Sequence, residues 1–168
     1  MTGTRDIECE PLSREEFAPF GDVIECKSSP DKLINAGRCG RHHDLARLDF
    51  GPNGRAGISI FDSESCSLPF IVDLLERHPE GSQAFIPMTL TRFLVVVSET
   101  QYARPRAFLT ELGQGINFMR GTWHAVLSPL SEPGLFLVVD RIGNTPNLEE
   151  YHLPNPWRVV PNAVTTNC

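Results

Sequence analysis

A chain of 168 residues with a formal charge of −6 and a sequence pI of about 5.3 has room for one domain built on one core. The acidic balance argues against a nucleic-acid-binding protein, which carries a basic face. The longest apolar runs, 93–97 and 135–139, have the length of strands and fall far short of a membrane-spanning helix. The five cysteines, Cys9, Cys26, Cys39, Cys66 and Cys168, are scattered, odd in number and never spaced as a Cys-x-x-Cys pair. That usage predicts reduced thiols in a cytoplasmic protein, not a zinc ribbon or a disulfide scaffold. Residues 1–10 are mixed polar and acidic, without the apolar core of a signal peptide.

The first predicted element is a short helix. Ser13-Arg14-Glu15-Glu16 reads as a capping box, in which the Ser13 hydroxyl accepts from the Glu16 amide and Glu16 reaches back. Pro19 and Gly21 end it early. Thereafter the pattern predicts strands at 23–26, 44–50, 57–61, 70–75, 83–87, 93–97, 107–110, 116–118, 125–127 and 135–140, followed by an extended tail carrying Pro154, Pro156 and Pro161. Glycine and proline supply 27 of the 168 residues and punctuate these runs. Many short strands with turn residues between them indicate a sandwich or closed barrel, because the helical stretches of a doubly wound α/β fold are missing.

Two polar segments interrupt the apolar pattern. The first runs from Leu75-Glu76-Arg77-His78-Pro79 to Gly81-Ser82-Gln83. The second runs from Gly113-Gln114-Gly115 through Phe118-Met119-Arg120-Gly121 to Trp123-His124. On one strand, Glu76 and His78 would face the same way, with Arg77 turned opposite. Gln83 and His124 would arrive from neighbouring strands. Four polar side chains would then converge inside an apolar barrel, as small-ligand sites are built.

These segments resemble the two motifs of the cupin superfamily. Gly113, Gly121 and His124 fall on the glycine, glycine and histidine slots of the second motif, with Met119 in its proline slot and Ser128 in its asparagine slot. Glu76 and His78 take the paired-histidine slots of the first motif, and Gln83 takes its acidic slot. A closer resemblance, to the bacterial ureidoglycolate lyases once called ureidoglycolate hydrolases, recurs in order from residue 11 to about 143. It is carried by Pro11-Leu12-Ser13, Phe20-Gly21-Asp22-Val23-Ile24-Glu25, His43-Asp44-Leu45, Ile58-Ser59-Ile60, the segment from Leu75 to Pro87, Arg106-Ala107-Phe108, Gln114-Gly115-Ile116-Asn117 and Asp140-Arg141. The second motif departs from that family: Met119 and Ala125 stand where two histidines are usual.

The resemblance implies an all-β, cupin-like barrel of the jelly-roll type with a few short helices, one domain over residues 1–168, and a homodimer. It implies cleavage of (S)-ureidoglycolate to glyoxylate and urea in allantoin degradation. His78, His124 and Glu76 are the expected acid–base residues. Arg120 is expected to clamp the substrate carboxylate, since a guanidinium offers a bidentate fork. Gln83, Trp123, His43 and Asn35 are the further expected substrate contacts. If a divalent metal is bound, His78, His124, Gln83 and Glu76 are its expected ligands, and the resemblance suggests nickel. No nucleic-acid or membrane partner is expected. The alternatives are a different metal-dependent cupin enzyme and a non-catalytic cupin that binds a small organic acid.

Overall fold

The computed structural model describes residues 5–162. Its elements, in chain order, are β1 (Arg5–Pro11), α1 (Arg14–Phe17), β2 (Gly21–Ile24), β3 (Lys32–Ile34), β4 (Cys39–Arg41), β5 (Arg55–Ser63), β6 (Phe70–Arg77) and β7 (Gln83–Pro87). They continue with β8 (Phe93–Ser98), β9 (Arg106–Leu109), β10 (Gly115–Phe118), β11 (Trp123–His124), β12 (Ser128–Pro129), β13 (Gly134–Ile142) and β14 (Glu149–Val160). The all-β barrel expected from the sequence is therefore present, with α1 as its short helix.

One sheet runs β11-β6-β14-β1-β9-β8-β12, and β11 also pairs with β8. That second pairing closes six of its strands into a barrel. A five-stranded sheet, β2-β10-β7-β13-β5, packs against it. β8 explains how two cores fit into so short a chain. Its six residues are all buried, so both faces must find apolar partners. Phe93, Val95 and Val97 face a core shared with Phe17, Phe85, Phe118 and Phe136 between the sheets. Leu94 and Val96 face a second core with Ile7, Cys9, Val72, Trp123 and Trp157 inside the ring. Burying each large side chain contributes about 1.5–3 kcal/mol. Cys9 belongs to this second core, and burial pushes its thiol up to about 12, which keeps it unreactive. Among the described residues Cys9, Cys26, Cys39 and Cys66 are free, as expected; Cys168 lies outside them.

Several predicted elements differ. Residues 44–50 form no strand. Side chains hold this segment in place of a ladder: the Arg47 amide donates to Asp22 Oδ2 at 3.0 Å and the Asp49 amide to Ser82 Oγ at 2.8 Å. Residues 125–127 are irregular and separate two short pairings, β11 and β12. The expected tail is largely β14, which lies between β6 and β1. Its register shifts between His152 and Trp157, and Pro154 and Pro156 sit in that interruption, where no ladder donor is required. Residues 163–168 lie outside the described part. β1, which the sequence pattern did not predict, turns Ile7 and Cys9 inward and leaves Asp6 and Glu8 exposed. At α1 the Ser13 hydroxyl accepts from the Glu16 amide at 3.2 Å, but the Glu16 carboxylate binds Arg106 at 2.6 Å and does not close the box.

Candidate active site

β11 brings His124 beside Glu76, its register partner on β6. A turn at 119–122 delivers it: the Thr122 amide donates to Met119 O, and the Gly121 amide donates to His78 O at 2.9 Å. Gly121 has φ of +80°, and a Cβ there would meet no atom within 4 Å, so its requirement is conformational and not one of close packing. Alternation along the short strand then sends Trp123 into the ring core and His124 toward the core between the sheets.

One ligand atom from each of Glu76, His78 and His124 lies within 4.8 Å of the other two. The His78 and His124 ring centroids are 5.5 Å apart, and Glu76 Oε1 lies 3.9 Å from His124 Nδ1. Both imidazoles are oriented by backbone carbonyls. His78 Nδ1 donates to Asn147 O at 2.7 Å, and His124 Nδ1 donates to Ala125 O at 2.9 Å. A carbonyl only accepts, so each Nδ1 carries a proton, and a ring in its neutral form keeps its lone pair on Nε2. Both Nε2 atoms are buried without a hydrogen-bond partner. Burial holds His124 down to about 3, so its ring is neutral at ordinary pH.

Gln83, at the start of β7, is buried and sits opposite Phe118 on β10. Its Nε2 donates to Asp140 Oδ2 at 3.4 Å, which leaves Oε1 buried and unpaired as well. Three orphaned acceptors, two imidazole nitrogens and an amide oxygen, thus accompany a carboxylate. Such a set is costly to bury unless something positive satisfies it. Nitrogen and oxygen donors of this kind suit a divalent first-row metal, so the residues fit the metal the resemblance implies. Glu76 and Gln83 line a cavity of about 460 Å³ walled by Phe61, Phe85, Val126 and Leu127. Burial raises the Glu76 carboxyl, the charge of His78 works against that, and Glu150 adds to it.

A larger hollow of about 590 Å³ lies beside Ile7, Arg104 and Val160. Arg106 there pairs with Glu10 and Glu16, whereas the smaller cavity holds the unpaired Gln83 Oε1 and the Glu76 carboxyl.

The remaining sequence-predicted residues lie elsewhere. Arg120 lines a separate cavity of about 360 Å³ with Glu80 and Arg141; its Nε donates to Pro79 O at 2.7 Å, and Nη1 is 3.8 Å from Asp49 Oδ2. Trp123 is buried in the ring core, with the Arg77 guanidinium 4.9 Å from its ring centroid. His43 is exposed, its Nδ1 accepting from Arg41 at 2.9 Å. Asn35 is exposed between β3 and β4, with φ of 54°. Three residues that motif spacing did not indicate do bear on the site: Phe118, which stacks on His124; Asp140, which orients Gln83; and Asn147, which accepts from His78.

A closed β-barrel with two histidines and a carboxylate gathered together defines a cupin-like protein with a side-chain cluster compatible with a metal ion. Comparison with known sequences narrows the class. The profile of the family described as Ureidoglycolate lyase matches residues 4–160. The chain is 59% identical over 153 residues to the ureidoglycolate lyase of Rhodobacter capsulatus, covering 89% of this chain and 95% of that protein. It is 46% identical over 159 residues to that of a Chelativorans species, covering 92% and 96%. It is 51% identical over 149 residues to that of Brucella melitensis, covering 86% and 88%. The chain belongs to the ureidoglycolate lyase family.

Proposed function

We propose that this chain cleaves (S)-ureidoglycolate into glyoxylate and urea, as a C–N lyase of allantoin degradation, at the cluster of Glu76, His78, His124 and Gln83. The observation that carries the site assignment is a cluster of two histidines and a carboxylate in which both imidazole Nε2 atoms are buried without a partner. The substrate carries a carboxylate, a hydroxyl and a ureido group on one carbon. Its C–N bond breaks as the hydroxyl oxygen becomes the aldehyde oxygen. One proton leaves that hydroxyl and one joins the departing urea nitrogen, so the same proton can make both moves.

Glu76 is placed to carry it. It lines the open cavity, where its carboxylate can take the hydroxyl proton and return it to the departing nitrogen. His78, His124, Gln83 and one oxygen of Glu76 would hold a divalent cation, and the other Glu76 oxygen would remain for the proton. When bound, the cation supplies the positive charge that holds an anionic substrate and eases loss of its hydroxyl proton. The cavity lining needs such a charge, because it carries Asp62 and Glu76 and, among the described residues, no lysine or arginine. Nickel is the first ion to test. Phe118 and Asp140 hold His124 and Gln83 in place.

Residues 1–168 act in this reading as one domain, in the cytoplasm and as a homodimer. The described residues contain no helix long and apolar enough to cross a membrane. β5 is an edge strand of the five-stranded sheet, and its Ile58 and Ile60 are exposed, a face that a second copy would cover. The test of function is release of glyoxylate and urea from each ureidoglycolate enantiomer, with and without a chelator. Release from the S enantiomer that a chelator stops supports the whole reading. Binding of substrate without release would make the protein a binder of a small acid.

A further inference from the structure

β6 ends at Arg77, and the turn that follows is gripped from outside by the segment joining β13 to β14. Asn147 makes two bonds to it. Its backbone carbonyl accepts from His78 Nδ1 at 2.7 Å, and its side-chain Oδ1 accepts from the Glu80 amide at 2.7 Å. The segment is anchored again at Glu80, whose carboxylate accepts from the Thr145 hydroxyl and lies 3.2 Å from Arg141 Nη2. Arg141 in turn donates through Nε to Phe50 O at 3.0 Å, with a side chain only 5% exposed. The carbonyl that meets His78 is thus fixed by its own residue's carboxamide and by a buried arginine.

We propose that Asn147 is the positioning residue for His78. Its carbonyl sets the Nδ1–H form of the ring and leaves Nε2 as an unpartnered lone pair at the cluster. Its carboxamide holds that carbonyl in place through the Glu80 amide. Histidines that ligate metals almost always donate their other N–H in this way, and the assignment rests on the reading of the cluster as a cation site.

The carbonyl cannot be removed by substitution, but its anchor can. Asn147→Ala deletes the acceptor for the Glu80 amide, whereas Asn147→Asp keeps an oxygen there. The full chain, stripped by chelator, is examined by long-range proton–nitrogen NMR of the His78 ring at about pH 8, above the imidazole range. A His78→Gln chain assigns the signals. The native ring should be almost wholly Nδ1–H; Asn147→Ala should give a mixture of tautomers, and Asn147→Asp should restore the native pattern. Calorimetric titration with nickel(II) should show affinity lowered by about 10- to 100-fold in Asn147→Ala and by less than about 3-fold in Asn147→Asp. If the alanine chain does not fold, Asn147→Ser, whose hydroxyl is too short to reach, takes its place. A native tautomer pattern and native affinity in the alanine or serine chain would overturn the proposal. So would an aspartate chain as impaired as the alanine one. Should the native chain take up no nickel while the tautomers change as described, the cation reading fails and the role of Asn147 stands.

Discussion

Phe118 and His124 lie face to face, with ring centroids 4.1 Å apart and planes inclined by 8°. Phe118 also meets Phe17 and Phe85, at centroid distances of 6.2 and 6.0 Å, so the imidazole is seated on the aromatic core between the sheets. This contact fixes the plane of the ring, and the bond from Nδ1 to Ala125 O fixes its rotation within that plane. Nothing is left for His124 to do structurally with Nε2, which is buried and unpaired.

Replacing His124 by Gln should therefore spare the fold and remove function. Turnover should fall by roughly 10²-fold or more, the usual size for loss of a positioned proton carrier or metal ligand. Glyoxylate release and circular dichroism, measured together, check this. Near-native turnover would make His124 a packing residue.

Cation binding should appear as stability. A ligand that binds only the folded chain adds about 2.7 kcal/mol at one hundred times its dissociation constant. Chelator treatment should lower the thermal midpoint, and nickel(II) should restore it in the native chain but not in His78→Gln. Equal midpoints with and without nickel would show that the orphaned acceptors do not bind it.

Much of this centre was legible in the sequence, and the reasons differ residue by residue. Short apolar runs and glycine–proline punctuation announce strands, so the barrel followed from residues such as Phe93 to Val97. Motif spacing placed His124 and Glu76 together, and they are register partners. Spacing could not reveal Asn147, because it acts through a backbone carbonyl 69 residues away from His78. Nor could it separate Trp123 from His124: adjacent residues on a two-residue strand face opposite cores. Residues 44–50 carry strand-like composition, yet side chains such as Asp22 and Ser82 take up the hydrogen bonds a ladder would have used.

Arg120 separates two roles by kinetics. Its bond to Pro79 O holds the backbone just after His78, and it faces a different cavity from the one lined by Glu76. Arg120→Ala should change the Michaelis constant by less than about 3-fold and lower turnover by less than about 10-fold, the pattern expected when geometry is loosened and no substrate contact is lost. A Michaelis constant raised by about 10-fold or more would instead identify Arg120 as the carboxylate clamp.

The exposed Ile58 and Ile60 should govern assembly. Ile58→Asp with Ile60→Asp places two charges on a face that a partner would bury. Light scattering should report a dimer for the native chain and a monomer for the double variant. A native monomer at micromolar concentration would remove the homodimer from the reading.

The last prediction concerns the loop that carries His43. Lys27 Nζ donates to both oxygens of Asp31, at 2.7 and 2.8 Å, and the His43 amide donates to Oδ2 at 2.8 Å. These bonds, the lysine first and the amide second, hold the Asp31 carboxyl down to about 2. An unfolded Asp titrates near ~3.9, so as pH falls the unfolded chain takes up this proton before the folded chain does. The contribution of Asp31 is complete above about pH 5 and is lost as pH falls through its folded value. Because the group is exposed, solvent and salt reduce the effect, and the comparison belongs at low ionic strength. The native chain should unfold at a higher urea concentration than Asp31→Asn near neutral pH, and the gap should close as pH falls toward 2. A gap that stays constant with pH would show that the carboxylate bonds to Lys27 and His43 do not persist in solution.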